Sequence, residues 1–276
     1  MPSTVDTSRA AVAPPPTDPP PTTRSLSVDI DGLGVDFGRG PVLTGLDLHV
    51  PAGSVHAVVG PSGCGKSTLL RVLSGLAGPS TGQARIGGRP VSAPDDRVGV
   101  VFQQPRLLPW LDIHANVALG ATRRRRRDRS AGARTEVEAL LRRVGLADHG
   151  DQRPAAVSGG MAQRAALARA LVSRPGVLLL DEPFAALDAL TRLRMQSLVH
   201  DLVHADGTTV VLVTHDVDEA VRLADEVTVL GPAGSGVATR VPVELPRPRD
   251  TTDPATAAAA AALRARLLDL VGVRTH

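Results

Sequence analysis

The chain has 276 residues, 42% of them hydrophobic, and a formal net charge of only +3. No apolar run approaches the ~18 residues needed to span a bilayer, and prolines near the N-terminus interrupt any signal-peptide core. One cysteine excludes an internal disulfide framework and fits a reducing compartment. Arginine supplies nearly all of the positive charge. Mild basicity fits a nucleotide or an anionic membrane surface without demanding nucleic acid, and no aromatic residues interleave with the arginines.

Residues 1–24 hold seven of the 23 prolines and read as a disordered tail. From Leu26 the pattern alternates as a strand should, with Leu26, Val28 and Ile30 on one side. Residues 42–50 predict a second strand, and Pro51-Ala52-Gly53 a turn. The apolar run 55–59 predicts a buried strand. Gly60-Pro61-Ser62-Gly63-Cys64-Gly65-Lys66-Ser67-Thr68 follows it, and a helix is expected over 68–76. That strand, loop and helix carry the complete P-loop pattern G-x-x-x-x-G-K-[ST]. The glycines let backbone N–H groups turn toward phosphate oxygens, and the helix N-terminus adds a positive dipole end. Lys66 is placed for the β- and γ-phosphates of a nucleotide and Ser67 for Mg²⁺. Cys64 lies inside the loop, so alkylating it is expected to block phosphate binding.

Residues 97–102 predict another buried strand. Residues 104–172 then change to helical patterns, with an arginine run over 123–127 and at Arg129, and form a helical insert. The basic run reads as a solvated face or as a contact for anionic lipid or an acidic protein loop. Further strands are expected over 175–180, 208–213 and 226–230, with helices at 189–204 and 216–224 between them. Alternation of this kind indicates a layered α/β core with a parallel sheet. Past Gly231 the signal weakens. Asp253 and Pro254 read as the cap and first residue of a terminal helix over 255–271.

The strand at 175–180 ends on Asp181-Glu182. Open α/β sheets bind ligands at the carboxyl ends of their strands. Asp181 is therefore a candidate organiser of Mg²⁺, and Glu182 a candidate base that polarises water for attack on the γ-phosphate. Taken alone the pair could be two solvated acids. Val157-Ser158-Gly159-Gly160-Met161 opens a further helix and makes a second phosphate-binding nest. Because one chain binds one γ-phosphate, this nest is best explained by a nucleotide held on another chain.

Over roughly residues 25–231 these motifs, in order and spacing, resemble the ATPase subunits of ABC transporters. Ser158-Gly159-Gly160 matches the family signature, with Val157 and Met161 as departures at its ends and Ala162 where many relatives have glutamine. The resemblance implies that Phe37 stacks on adenine, although a lone Phe near a strand end is often core. It implies that Gln103 approaches Mg²⁺ and the attacking water. Ala186-Leu187-Asp188 would cross to a partner subunit, and His215 would contact the γ-phosphate. It also implies a P-loop ATPase core at 25–247 with a parallel sheet, an antiparallel β region and the inserted helical subdomain, followed by a C-terminal tail at 248–276. Leu107-Leu108-Pro109-Trp110 and the stretch before Gln103 resemble the nitrate, sulfonate and taurine importer branch. The implied partners are a second copy of the chain, a separate transmembrane permease touched by the helical lobe, and a periplasmic or lipid-anchored solute-binding protein. The implied location is the cytoplasmic face of the membrane. Leu107 to Trp110 could also simply pack the lobe on the core. A soluble ABC ATPase of DNA repair or translation is the alternative, and a small-molecule kinase a more distant one that gives Ser158 and His215 no role.

Overall fold

The computed structural model describes residues 25–125, 132–236, 238–247, 249 and 253–272. The expected tail at 1–24 lies outside these residues, as do Arg126, Arg127 and Arg129 of the basic run and the side chains of Arg123, Arg124 and Arg125. In chain order the elements are β1 (Val28–Asp36), β2 (Pro41–Val50), β3 (Val55–Val59), α1 (Lys66–Leu73), β4 (Thr81–Ile86), β5 (Arg89–Pro90), β6 (Val98–Val101), α2 (Ile113–Arg125), α3 (Gly132–Arg143), α4 (Gly159–Leu171), β7 (Val177–Asp181), α5 (Ala189–Asp206), β8 (Thr209–Val213), α6 (Val217–Leu223), β9 (Glu226–Leu230), β10 (Ala238–Pro242) and α7 (Pro254–Val271).

Two sheets form. One has the order β2-β1-β4-β5 and is antiparallel; the other has the order β10-β9-β3-β8-β7-β6. In the second sheet β9, β3, β8, β7 and β6 run parallel, and β10 is added antiparallel at its edge. The parallel strands are apolar at nearly every position because both faces are covered. On β7, Leu178 and Leu180 face one core cluster while Val177 and Leu179 face the other. On β8, Val210 and Leu212 pair with the first cluster and Val211 and Val213 with the second. The second cluster also takes Leu69, Leu70, Val72 and Leu73 of α1 and the inward residues of β1, β2 and β4. Helix α1 is thus held between the two sheets by apolar burial.

The helices of the insert, α2, α3 and α4, pack on one another, and α4 also packs on β6. Val117, Val137, Leu140 and Leu167 belong to the same apolar cluster as Leu178 and Leu180, so the core runs without a break from the insert into the sheet. Helix α7 docks on α6 and β9 with Leu267 fully buried. Asp253 caps it by accepting from the Thr256 N–H, as its Asp-Pro start predicts.

Three strands were not expected: β4, β5 and β10. In β4 only Ala84 and Ile86 are buried, and Gly82 interrupts the apolar pattern. In β10 only Val241 is buried, and Pro242 ends it at a sheet edge where its missing N–H does no harm. The P-loop helix also begins earlier than expected, at Lys66.

His56 is the one basic side chain buried within the parallel strands, at 1% exposure. Its Nε2 lies 2.8 Å from Thr228 Oγ1 and its Nδ1 3.4 Å from Glu226 Oε2, both on neighbouring β9. Burial, helped by the Arg240 charge, pushes the imidazole down from 6.5 to about 4. Between those values the unfolded chain binds a proton that the folded chain refuses. Stability is therefore full above pH 6.5 and declines as the pH falls toward 4. Unfolding free energies from urea titrations near pH 7 and near pH 5 should differ by about 2 kcal/mol more for the wild type than for His56→Gln. Equal pH dependence in the two proteins would place the acid sensitivity elsewhere.

Candidate functional site

The loop between β3 and α1 turns on Gly65, which caps α1 in the left-handed region at φ 106°. A Cβ at this position would fall 2.6 Å from Leu43 Cδ2, so only glycine fits. The next residue, Lys66, is buried, and its ammonium donates to the carbonyl oxygens of Gly60 (2.8 Å) and Pro61 (3.0 Å). The loop is thus curled around its own lysine. Cys64 departs from expectation. It is 3% exposed, its side chain belongs to the core cluster with Leu69 and Leu73, and its Sγ lies 3.8 Å from the Lys66 ammonium.

Asp181 ends β7 and accepts a hydrogen bond from Ser67 Oγ at 3.3 Å. Burial pushes its carboxyl above the ordinary range; the Ser67 hydroxyl opposes this and the adjacent Glu182 adds to it. A hydroxyl and a carboxylate side by side are hard oxygen donors. Mg²⁺ commonly takes only one or two protein ligands beside substrate phosphates and water, so the pair fits that ion. Among the described residues no group of three or more His, Cys, Asp or Glu could hold a metal without such help.

Glu182 adopts a left-handed backbone, φ 44°, held by its N–H donating to Val213 O at 2.9 Å. For a side-chain-bearing residue this conformation costs about 1–3 kcal/mol and survives only where neighbours enforce it. Its Oε2 receives Gln103 Nε2 at 3.4 Å and lies 3.3 Å from His215 Nδ1. Gln103 follows β6 and His215 follows β8. Two of the expected residues therefore converge on an oxygen of the third.

Phe37, just past β1, is 58% exposed and so is not a core residue. Ser158 caps α4 by accepting from the Met161 N–H, and Gly159 and Gly160 form the first turn. A Cβ on Gly160 would sit 2.6 Å from Thr191 Cγ2 of α5. Asp188 caps α5 by accepting from the Thr191 N–H, which holds its carboxyl below the usual range. The N-termini of α4 and α5 thus meet at Gly160 and Thr191. In this single chain the side chains of Ser158 and Asp188 serve their own helices.

Sequence reasoning missed the side chains that hold the Gln103 loop. Gln163 of α4 donates to Phe102 O at 3.1 Å. Arg169, one further turn and a half along α4, donates to Pro105 O and Arg106 O, each at 2.7 Å. Arg106 itself lies over the Phe102 ring, 4.1 Å from its centroid, and its charge weakly opposes the rise at Asp181. The only sequence signal for these was the polar spacing 163, 166 and 169 broken by Ala166, too sparse to read. Farther along, Leu107 packs on the core and Trp110 is 66% exposed.

Residues 43–185, just over half of the chain, match the family model described as ABC transporter. The chain belongs to the ABC transporter family. An aliphatic sulfonates import ATP-binding protein of Rhodopseudomonas palustris is 51% identical over 86% of this chain and 80% of its own length. One from Pseudomonas fluorescens is 46% identical over 92% of this chain and 91% of its own. Among solved structures, the dimeric ATP-binding cassette MJ0796 in a post-hydrolysis state with ADP and Pi superposes with a TM-score of 0.68 at 30% identity. That match covers 79% of this chain and 99% of the other. Part of the cbiONQ transporter complex of Clostridium perfringens, cbiO1, gives 0.69 at 27% identity. The chain is an ATPase of this family, with the mixed sheet, flanking helices and inserted helical region described above.

The burial of Cys64 changes what thiol chemistry should do to this ATPase. A maleimide should label the native protein at least about tenfold more slowly than the urea-unfolded chain, because the Sγ must leave the core to react. Rapid native labelling would mean that the loop opens far more readily than its packing implies.

Proposed function

We propose that the chain is the ATP-hydrolysing subunit of an importer for a sulfonate-like small solute, working as a pair of copies beneath a separate membrane permease. The import role and solute class rest on relatives of that description matched over 86% and 92% of this chain and 80% and 91% of their own length. Similarity to import proteins over most of both chains favours this over a soluble ABC ATPase of repair or translation. Among the described residues no helix is long and apolar enough to cross a membrane, so a permease on another chain, with this subunit at its cytoplasmic face, completes the proposal. A solute-binding protein is expected in the same system.

The observation that carries the catalytic reading is the convergence of Gln103 and His215 on Glu182 Oε2. In this reading Glu182 accepts the proton of a water attacking the γ-phosphate, and Gln103 and His215 orient carboxylate, water and phosphate. Lys66 exchanges its loop carbonyls for β- and γ-phosphate oxygens, and the N–H groups of residues 60–68 surround them. Ser67 and Asp181, with Gln103 nearby, would hold Mg²⁺, which supplies charge neutralisation on the phosphates when bound. Phe37, exposed beside the loop's sheet, stacks on adenine. Ser158, Gly159 and Gly160 serve the nucleotide of a second copy, and Asp188 lies in the segment that crosses to it. The dimeric form of the related cassette supports the pairing of two copies.

Glu182→Gln should retain ATP binding and slow hydrolysis by about 10²–10³-fold, accumulating an ATP-bound dimer. A loss under about tenfold would remove Glu182 as the base. Lys66→Ala and Ser158→Arg should each abolish turnover. In a mixed dimer of the two, one site contains both lesions and the other neither. Recovered ATPase activity on mixing would support the shared site; continued silence in proven heterodimers would count against it.

The exposed Trp110 is the only tryptophan, so its fluorescence reports one place. On addition of the permease its emission should shift to the blue as the indole enters an apolar groove. Trp110→Ala should weaken assembly or transport while sparing ATP binding. An unshifted spectrum on a proven complex, with normal transport by the variant, would leave this residue without a docking role.

A further inference from the structure

Arg192 stands on the first turn of α5, four residues after Asp188, whose carbonyl accepts its backbone N–H at 2.8 Å. Its guanidinium reaches three groups from two separate segments. Nη2 donates to Leu187 O at 3.2 Å, inside the Ala186-Leu187-Asp188 segment. Nη1 lies 3.5 Å from Asp216 Oδ2, and Nε lies 4.0 Å from Glu219 Oε1. Asp216 directly follows His215 and caps α6 by accepting from the N–H groups of Asp218 and Glu219. Glu219 is 3% exposed and accepts the hydroxyl hydrogen of Thr214, the residue directly before His215, at 2.7 Å. The Thr214 Oγ1 in turn accepts the Asp216 N–H at 3.0 Å. Both neighbours of His215 are therefore tied into one small network, and Arg192 is the cation that links it to Leu187.

We propose that Arg192 is a positioning residue that transmits the placement of the Leu187-Asp188 segment to His215. The inference rests on the proposed role of His215 at the γ-phosphate. A buried carboxylate such as Glu219 needs a compensating charge, and a planar fork can serve two carboxylates and a carbonyl at once where an ammonium cannot. The contacts are also slack. Separations of 3.5 and 4.0 Å exceed the ~2.8 Å of a closed charge-assisted hydrogen bond, and the buried Nε makes no hydrogen bond at all. A movement of α5 by about an ångström would close them. The segment that carries Leu187 is the one proposed to meet the second copy. Seating of that copy would thus draw Arg192 onto Asp216 and Glu219 and fix the backbone on both sides of His215. Hydrolysis in one site would then depend on how the neighbouring subunit is seated.

The test is a double-mutant cycle on the full chain, reading kcat and KM for ATP together with nucleotide affinity. Arg192→Met keeps the length of the stem and removes the fork. It should lower kcat about tenfold or more with KM and ATP affinity within about twofold, because the lost interaction acts after binding. In a His215→Ala background the same substitution should cost nothing further, since its effect is routed through that histidine. Additive losses, or a loss confined to KM, would overturn the proposal. If Arg192→Met does not fold, Arg192→Lys, which keeps a cation but not the fork, should give an intermediate kcat with the same unchanged KM; wild-type kcat in Arg192→Lys would equally overturn it. If His215→Ala alone leaves turnover intact, the failure lies with the role of His215. If His215→Ala is impaired and Arg192→Met is not, the failure lies with the brace.

Discussion

Four neighbouring parallel strands, β3, β8, β7 and β6, end on the same edge of one sheet, and the P-loop and the groups around Glu182 hang from those ends. The P-loop leaves β3, His215 follows β8, Asp181 and Glu182 close β7, and Gln103 follows β6. Lateral strand spacing of about 4.8 Å then places four short loops within side-chain reach of one another. Burial on both faces enforces this arrangement. The strands cannot slip in register without moving Leu178 or Val211 into the wrong cluster. The strained turn at Glu182 is held by the same ladder, through its N–H on Val213 at the end of the adjacent strand.

That constraint also explains what could be read from the sequence. Each chemical loop follows a short, mostly apolar run, and such runs are conspicuous at 55–59, 177–180 and 209–213. The antiparallel sheet was less legible because its strands bury one face only. β4 shows just Ala84 and Ile86 to the core, and Gly82 breaks its alternation. The burial of the Cys64 side chain was not legible, for a related reason. A loop that wraps phosphate with its backbone directs alternate side chains away, and here one goes into the core between the sheets. Gln163, Arg169 and Arg192 were invisible for a different reason. Their partners are carbonyls and carboxylates up to 64 residues away in sequence, brought together only by helix packing.

Helix α4 connects two parts of the proposed mechanism that the sequence presents as unrelated. Its N-terminus carries Ser158, Gly159 and Gly160, and its body grips the Gln103 loop through Gln163 and Arg169. Three hydrogen bonds from one helix to consecutive parts of a loop make the two move together more readily than apart. The loop then continues through Leu107, packed on the core, to the exposed Trp110. A displacement at the N-terminus of α4 therefore reaches the outer surface of the helical insert through backbone carbonyls held at 2.7 Å rather than through loose contacts.

The close approach of α4 to α5 at Gly160 and Thr191 completes this logic. A glycine there lets two helix N-termini, each with unpaired N–H groups and a positive dipole end, lie side by side. Two such ends would repel weakly unless an anion or an acidic group neutralised them. Asp188 supplies one negative charge at α5, and α4 has no acidic residue in its first turn. The arrangement is stable but electrostatically incomplete at α4, which is what a surface built to meet the phosphates of a second copy would need. Nothing in this machinery distinguishes one transported solute from another. The site is shaped for phosphates and water, so in the proposed importer the choice of solute falls to the permease and its binding protein.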